Sequence, residues 1–78
     1  MDWFKETFLP SIISWYMIQS NDEVLLSKKQ TDICLDYMEQ DLDGDFIAKY
    51  TLDDGAECYI SEIDENGRGY FGIQDYPF

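Results

Sequence analysis

The spacing of apolar residues changes once along this chain, and that change limits the folds open to it. In the first segment Phe4, Phe8, Ile12, Trp15 and Ile18 recur at helical intervals, with Leu9, Ile13 and Tyr16 beside them. After residue 45 the pattern becomes alternation. Phe46, Ala48, Tyr50 and Leu52 fall on one face of an extended segment, Lys49 and Thr51 on the other. Helical sequence followed by strand sequence, with no repeat and no linker between them, predicts an α+β domain.

Local signals place the elements. Pro10 is a poor fit to a helix interior, because it lacks an N–H and its ring meets the preceding turn. Either a short first turn ends before Pro10 or the helix proper begins near it, with proline as an early helical residue. Ser20-Asn21-Asp22 reads as a stop. Ser27-Lys28-Lys29-Gln30 matches a capping box, with Ser27 as N-cap and Gln30 three residues on. The second helix then runs from Lys28 to about Gln40 and buries Ile33, Cys34, Tyr37 and Met38. Asp53-Asp54-Gly55 and Glu65-Asn66-Gly67 are hairpin turns. They separate strands Phe46–Leu52, Ala56–Ile63 and Gly69–Gln74, the last weakened or bulged by Gly69 and Gly72. In the middle strand Ala56, Cys58 and Ile60 share one face, and Glu57, Tyr59 and Ser61 the other. The expected fold is two N-terminal helices packed on a three-stranded antiparallel meander, one domain over residues 1–78. Asp75-Tyr76-Pro77-Phe78 reads as an irregular tail.

Charge is the second constraint. The chain has 17 acidic and 5 basic residues, no histidine, and a net charge of −12. Twelve of the acids lie between Asp32 and Glu65, where Lys49 is the one base, so that stretch carries −12 + 1 = −11. Two carboxylates ~6 Å apart in water repel by about 0.7 kcal/mol. A 78-residue domain has a narrow margin against such repulsion, since a chain of this size buries only roughly 60–65% of its unfolded surface. The apolar fraction, 45%, is nonetheless enough for a core.

This balance excludes several roles. A chain at −12 is repelled by DNA, RNA and anionic lipid, so direct nucleic-acid or membrane binding is not expected. A halophilic origin fits poorly with eight Ile against two Ala and one Val. The first residues have no basic n-region, and the apolar run Phe8–Ile18 is too short to span a bilayer; a soluble, cytoplasmic protein is expected. Cys34 and Cys58 fall on apolar faces, as reduced core thiols or one disulfide. Without histidine no Ser-His-Asp or Cys-His set exists, and no carboxylate pair sits in an apolar stretch that would raise its pKa. Gly67-Arg68-Gly69 is a turn and not a phosphate loop. No enzyme activity and no cofactor are expected.

Asp41-Leu42-Asp43-Gly44-Asp45 resembles part of a calcium loop. Counted from Asp41, position 6 is Phe46 and position 12 is Leu52; counted from Glu39, Gly44 falls at 6 but Tyr50 at 12. Both registers lack the bidentate carboxylate. A calcium-responsive module is a third reading, behind an Asp/Gly loop that ends the second helix.

A recognition surface accounts for more of the charge. Asp32, Asp36 and Glu39 stand at i, i+4 and i+7 on the second helix, ~5–6 Å apart per step, comparable to phosphates along a nucleic-acid strand. Asp41, Asp43 and Asp45 continue the row. Glu57 and Glu62, with the turn acids Asp53, Asp54, Asp64 and Glu65, extend it. Tyr59 and Tyr70, on the outward sheet face, would supply contact area. Short, strongly acidic single-domain chains of this kind resemble phage-encoded nucleic-acid mimics, anti-CRISPR proteins among them, and the immunity proteins that neutralise basic nuclease toxins. The resemblance covers size, charge and the acidic middle of the chain and includes no motif. It implies an inhibitor that occupies the basic groove of a CRISPR effector, restriction enzyme, glycosylase or nuclease. The alternative is a structural or adaptor domain, acidic for solubility, that homodimerises through its aromatic N-terminal segment.

Overall fold

In the computed structural model, which describes residues 2–19, 22–40, 44 and 46–74, helices and an antiparallel sheet share one core. The chain opens with a π-helical turn, Phe4–Phe8, that runs directly into α1, Leu9–Gln19. Pro10 explains that turn. In a regular α-helix the Glu6 carbonyl would face the proline ring and find no N–H. Here the Leu9 N–H instead reaches back five residues to the Phe4 carbonyl, and the wider turn makes room for the ring. The helix proper therefore begins at Leu9, with Pro10 its second residue. Asp2 caps the entrance, its carboxylate accepting the Lys5 N–H at 3.2 Å. Phe4, Phe8, Leu9 and Ile12 are buried; Met17 and Ile18, in the last turn, are not. Ile18, expected on the buried stripe, is 78% exposed, because the last turn of α1 leaves the core.

Helix α2 spans Lys28–Tyr37 and starts on the full capping box. Gln30 N–H donates to Ser27 Oγ at 3.1 Å, and Ser27 N–H donates to Gln30 Oε1 at 2.9 Å. The helix ends three residues earlier than its sequence pattern suggests: Met38 is already extended, and its buried side chain pulls the chain toward the core. Two expectations fail with that ending. Tyr37 is 53% exposed, its ring stacked on Phe4 at 4.8 Å. Glu39 lies beyond the helix. Thr31, unnoticed in the sequence, is buried and joins helix to sheet: its Oγ1 donates to the Ser27 carbonyl at 2.9 Å and accepts the Gly69 N–H at 2.8 Å.

The sheet has four strands, which corrects the three expected. They are β1 (Val24–Leu25), β2 (Ala48–Thr51), β3 (Glu57–Ile63) and β4 (Gly69–Gln74), in the order β1-β4-β3-β2, all antiparallel. The meander β2-β3-β4 is as expected. The extra strand, β1, is two residues long and pairs Val24 with Phe71 on the outside of β4. No alternation can show itself over two residues, and β1 exists because Val24 and Leu26 bury against the core. On the covered face Ala48, Cys58, Ile60 and Phe71 reach 0% exposure. The two cysteines are free and buried, and burial pushes each thiol up to about 12. Between Ile60↔Phe71 and Ile63↔Gly69 the register shifts, so Ser61 and Glu62 together oppose Tyr70 in a bulge.

Candidate functional site

The acidic stretch does not form one row. Many of its carboxylates serve the fold. At the first hairpin Asp54 Oδ1 accepts the Ala56 N–H at 3.0 Å, and Asp53 meets Lys5 at 2.7 Å. At the second, Asp64 Oδ1 accepts both the Asn66 and the Arg68 N–H at 2.9 Å. Short Asp side chains bind the backbone of their own turn in this way, and each turn closes on a glycine with positive φ, 93° at Gly55 and 81° at Gly67. On α2, Asp32 pairs with Lys28 one turn back at 2.9 Å. These ion pairs are exposed, and solvent screens them.

Glu57 overturns its expected place on an open surface. It is 7% exposed, with Lys49 at 3.3 Å on one side, and Thr51 and Gln74 donating to its carboxylate at 3.4 and 3.3 Å. The register explains this: Thr51, Glu57 and Gln74 stand abreast on three adjacent strands, so the middle carboxylate is walled in from both sides.

Tyr59 is likewise engaged within the fold. Its ring stacks on Phe46 at 4.2 Å and 12° and lies across Gly72, where a Cβ would collide with it. Desolvation, with the Glu23 carboxylate as hydrogen-bonding neighbour, pushes its phenol up to about 12. Phe46 was expected on the core side. The chain bends at Ile47 before β2 begins, and the bend turns Phe46 to the outer face.

Asp36, Glu39, Glu62 and Glu65 remain: exposed acids whose side chains make no ion pair or hydrogen bond among the described residues. Strand pairing places two of them, Glu39 and Glu62. Glu39 pairs through its backbone with Lys49 in both directions at 2.9 Å, which fixes it on the outer edge of β2. Two residues before Lys49, the Ile47 N–H donates to the Ile60 carbonyl at 2.8 Å and starts the strand pairing. There an open pocket of about 420 Å³ is lined by Ile47, Glu62, Ile63, Asp64 and Tyr70. The bulge aims Glu62 into it. Asp64 offers its Oδ2, which carries no hydrogen bond among the described residues. Three of the sequence-derived residues, Glu62, Asp64 and Tyr70, thus meet in one place, with Glu65 in the adjoining turn. Asp53 and Asp54 sit at the opposite end of the β3 strand. Asp41, Asp43 and Asp45 lie outside the described residues.

Sequence reasoning missed Ile47. The signal was available: Phe46 and Ile47 are adjacent apolar residues ahead of an alternating strand, and both cannot face the core. A second pocket, of about 380 Å³, lies between α1 and the first hairpin among Ile13, Tyr16, Leu52 and Ile73, with Asp54 its one acid. No cluster of three or more metal-ligating side chains occurs among the described residues, and no helix among them is long and apolar enough to cross a membrane. Comparison with known protein families, characterised proteins and solved structures finds no match to this chain.

Proposed function

We propose that this chain is a stoichiometric acidic inhibitor that occupies the basic nucleic-acid groove of a nucleic-acid-handling protein. One observation carries the reading. After the fold has used its carboxylates in turns and ion pairs, Asp36, Glu39, Glu62 and Glu65 stay exposed and unpaired among the described residues; Glu39 is bridged to the β2 edge, and Glu62, in the β3 bulge, lines a half-apolar pocket. Five bases face 17 acids. Lys5, Lys28 and Lys49 already hold acids, and Arg68 Nε donates to the Leu26 carbonyl at 2.8 Å, which leaves Lys29 as the one lysine without an ion pair among the described residues. Uncompensated charge of this kind steers association with a basic surface and raises the on-rate, while apolar contacts slow dissociation. Among such partners we place CRISPR effectors first, ahead of restriction enzymes and nucleases, on the resemblance in size and charge.

The test is capture at low salt from cells that contain such enzymes, with release by salt or by competing DNA. The triple reversal Asp36→Lys, Glu39→Lys and Glu62→Lys should weaken binding at least tenfold and flatten its salt dependence. Inhibition that survives this reversal unchanged would falsify the reading. A second reading, a self-associating adaptor domain, is favoured by Met17 and Ile18, 69% and 78% exposed at the end of α1. Sedimentation at tens of micromolar separates the two, since the inhibitor reading needs no second copy.

A further inference from the structure

We propose that the pocket at the β3 bulge seats an arginine side chain of the partner. The proposal deepens the inhibitor reading and rests on it. The pocket's two kinds of wall match the two parts of that side chain. Ile47, Ile63 and the Tyr70 ring offer apolar surface, and Glu62 and Asp64 offer carboxylates at the same opening. An arginine stem lies well along apolar surface while its head stays with charge. The planar guanidinium stacks on an aromatic ring and presents five donors in a fixed fork that can serve two carboxylates together; an ammonium has three donors and no planar face to stack.

The surroundings favour a cation from outside. Lys49 and Arg68, each two residues from a pocket residue, do not line the pocket: Arg68 Nε donates to the Leu26 carbonyl at 2.8 Å, and Lys49 is held by Glu57. Ile47 is 37% exposed, an apolar residue at the rim that no neighbour covers fully. The opposite pocket, beside Ile13 and Leu52, has a single acid, Asp54, whose Oδ1 is bonded to the Ala56 N–H, so it lacks this pairing of walls.

The experiment is an amide-resolved NMR titration of the whole chain at low salt with capped hexa-arginine, hexalysine and hexacitrulline peptides. Hexa-arginine should shift the amides of Ile47, Glu62, Ile63 and Tyr70 saturably, hexalysine should bind about three- to tenfold more weakly, and hexacitrulline should give no shift. Ile47→Lys, at an exposed position, should abolish the shifts with the rest of the spectrum unchanged. Tyr70→Leu should lower affinity for hexa-arginine about three- to tenfold and remove its advantage over hexalysine. Shifts spread evenly over all acidic turns, equal affinity for lysine, or indifference to Ile47→Lys would overturn the seat. If the target is still captured and lost on reversal of Asp36 and Glu39 while the pocket stays silent, the inhibitor reading stands and only the arginine seat falls. If no basic protein is captured at all, the inhibitor reading itself fails.

Discussion

On the face of the sheet that carries the core, Ala48, Cys58, Ile60 and Phe71 are sealed from water beneath side chains of the π turn, α1 and α2. On the opposite face Lys49, Glu57, Thr51 and Gln74 form a polar ladder, and Phe46 and Tyr59 stack over Gly72. The first face is held by burial of apolar area, which has no direction. The second is held by paired geometry: a ring over a glycine, a carboxylate between two donors. A small acidic domain thus gets order from both sides of one sheet, and the outer face fixes where its remaining charge stands.

The covered face should give the largest loss when broken. Phe71→Ala removes a ring at 0% exposure and should cost about 3–5 kcal/mol, read from urea unfolding. The outer face should respond to added volume instead. Gly72→Ala pushes a methyl into the Tyr59 ring, which Phe46 pins from its other side. A cost of about 1–3 kcal/mol is expected. In a Tyr59→Ala background the same change should cost little, and a double-mutant cycle measures that coupling. A cycle with no coupling would mean that the ring does not bear on Gly72.

The smallest effect at neutral pH separates the faces by titration. The thiols of Cys34 and Cys58 rise from 9.0 to about 12 and the Tyr59 phenol from 10.0 to about 12. Each folded value lies above the unfolded one, so each group's contribution is whole below the unfolded pKa and is lost as pH climbs toward the folded pKa. Stability should be flat with respect to these groups at pH 8, begin to fall above about pH 9 as the core thiols respond, and fall further above about pH 10. Tyr59→Phe should shrink the second component and leave the first; what remains above about pH 10 belongs to the Tyr50 phenol, raised by burial, and to Lys5, raised by its hydrogen bond to Asp53. A decline that begins at pH 9 in a variant lacking both thiols would contradict the assignment to the core.

Sequence made the local rules legible and left the tertiary ones hidden. The Ser27–Gln30 capping box and both glycine turns rest on contacts within a few residues of chain, and all appear in the structure. The strand β1 rests on the Val24↔Phe71 pairing, across most of the chain, and left no trace in the local pattern. Glu39 looked like the next step of a helical row because its spacing from Asp32 and Asp36 is right; the burial of Met38 ends the helix first. For the acids, the sequence displays how many there are but not which are occupied. Glu57 and Glu62 stand on the same strand and look alike in the chain. One lies in the middle of a ladder and the other within a bulge, and only the register tells them apart.

The backbone bridge between Glu39 and Lys49 has one more consequence. A sheet is most prone to fibre growth where a strand edge shows a free run of N–H and C=O groups. Here one outer strand, β1, offers only two residues, and the bridge occupies Lys49 on the open side of the other, β2, four residues long. Both borders are short or partly taken, so copies of this chain have little edge on which to zip together strand to strand. Assembly through side chains is thereby favoured over strand pairing.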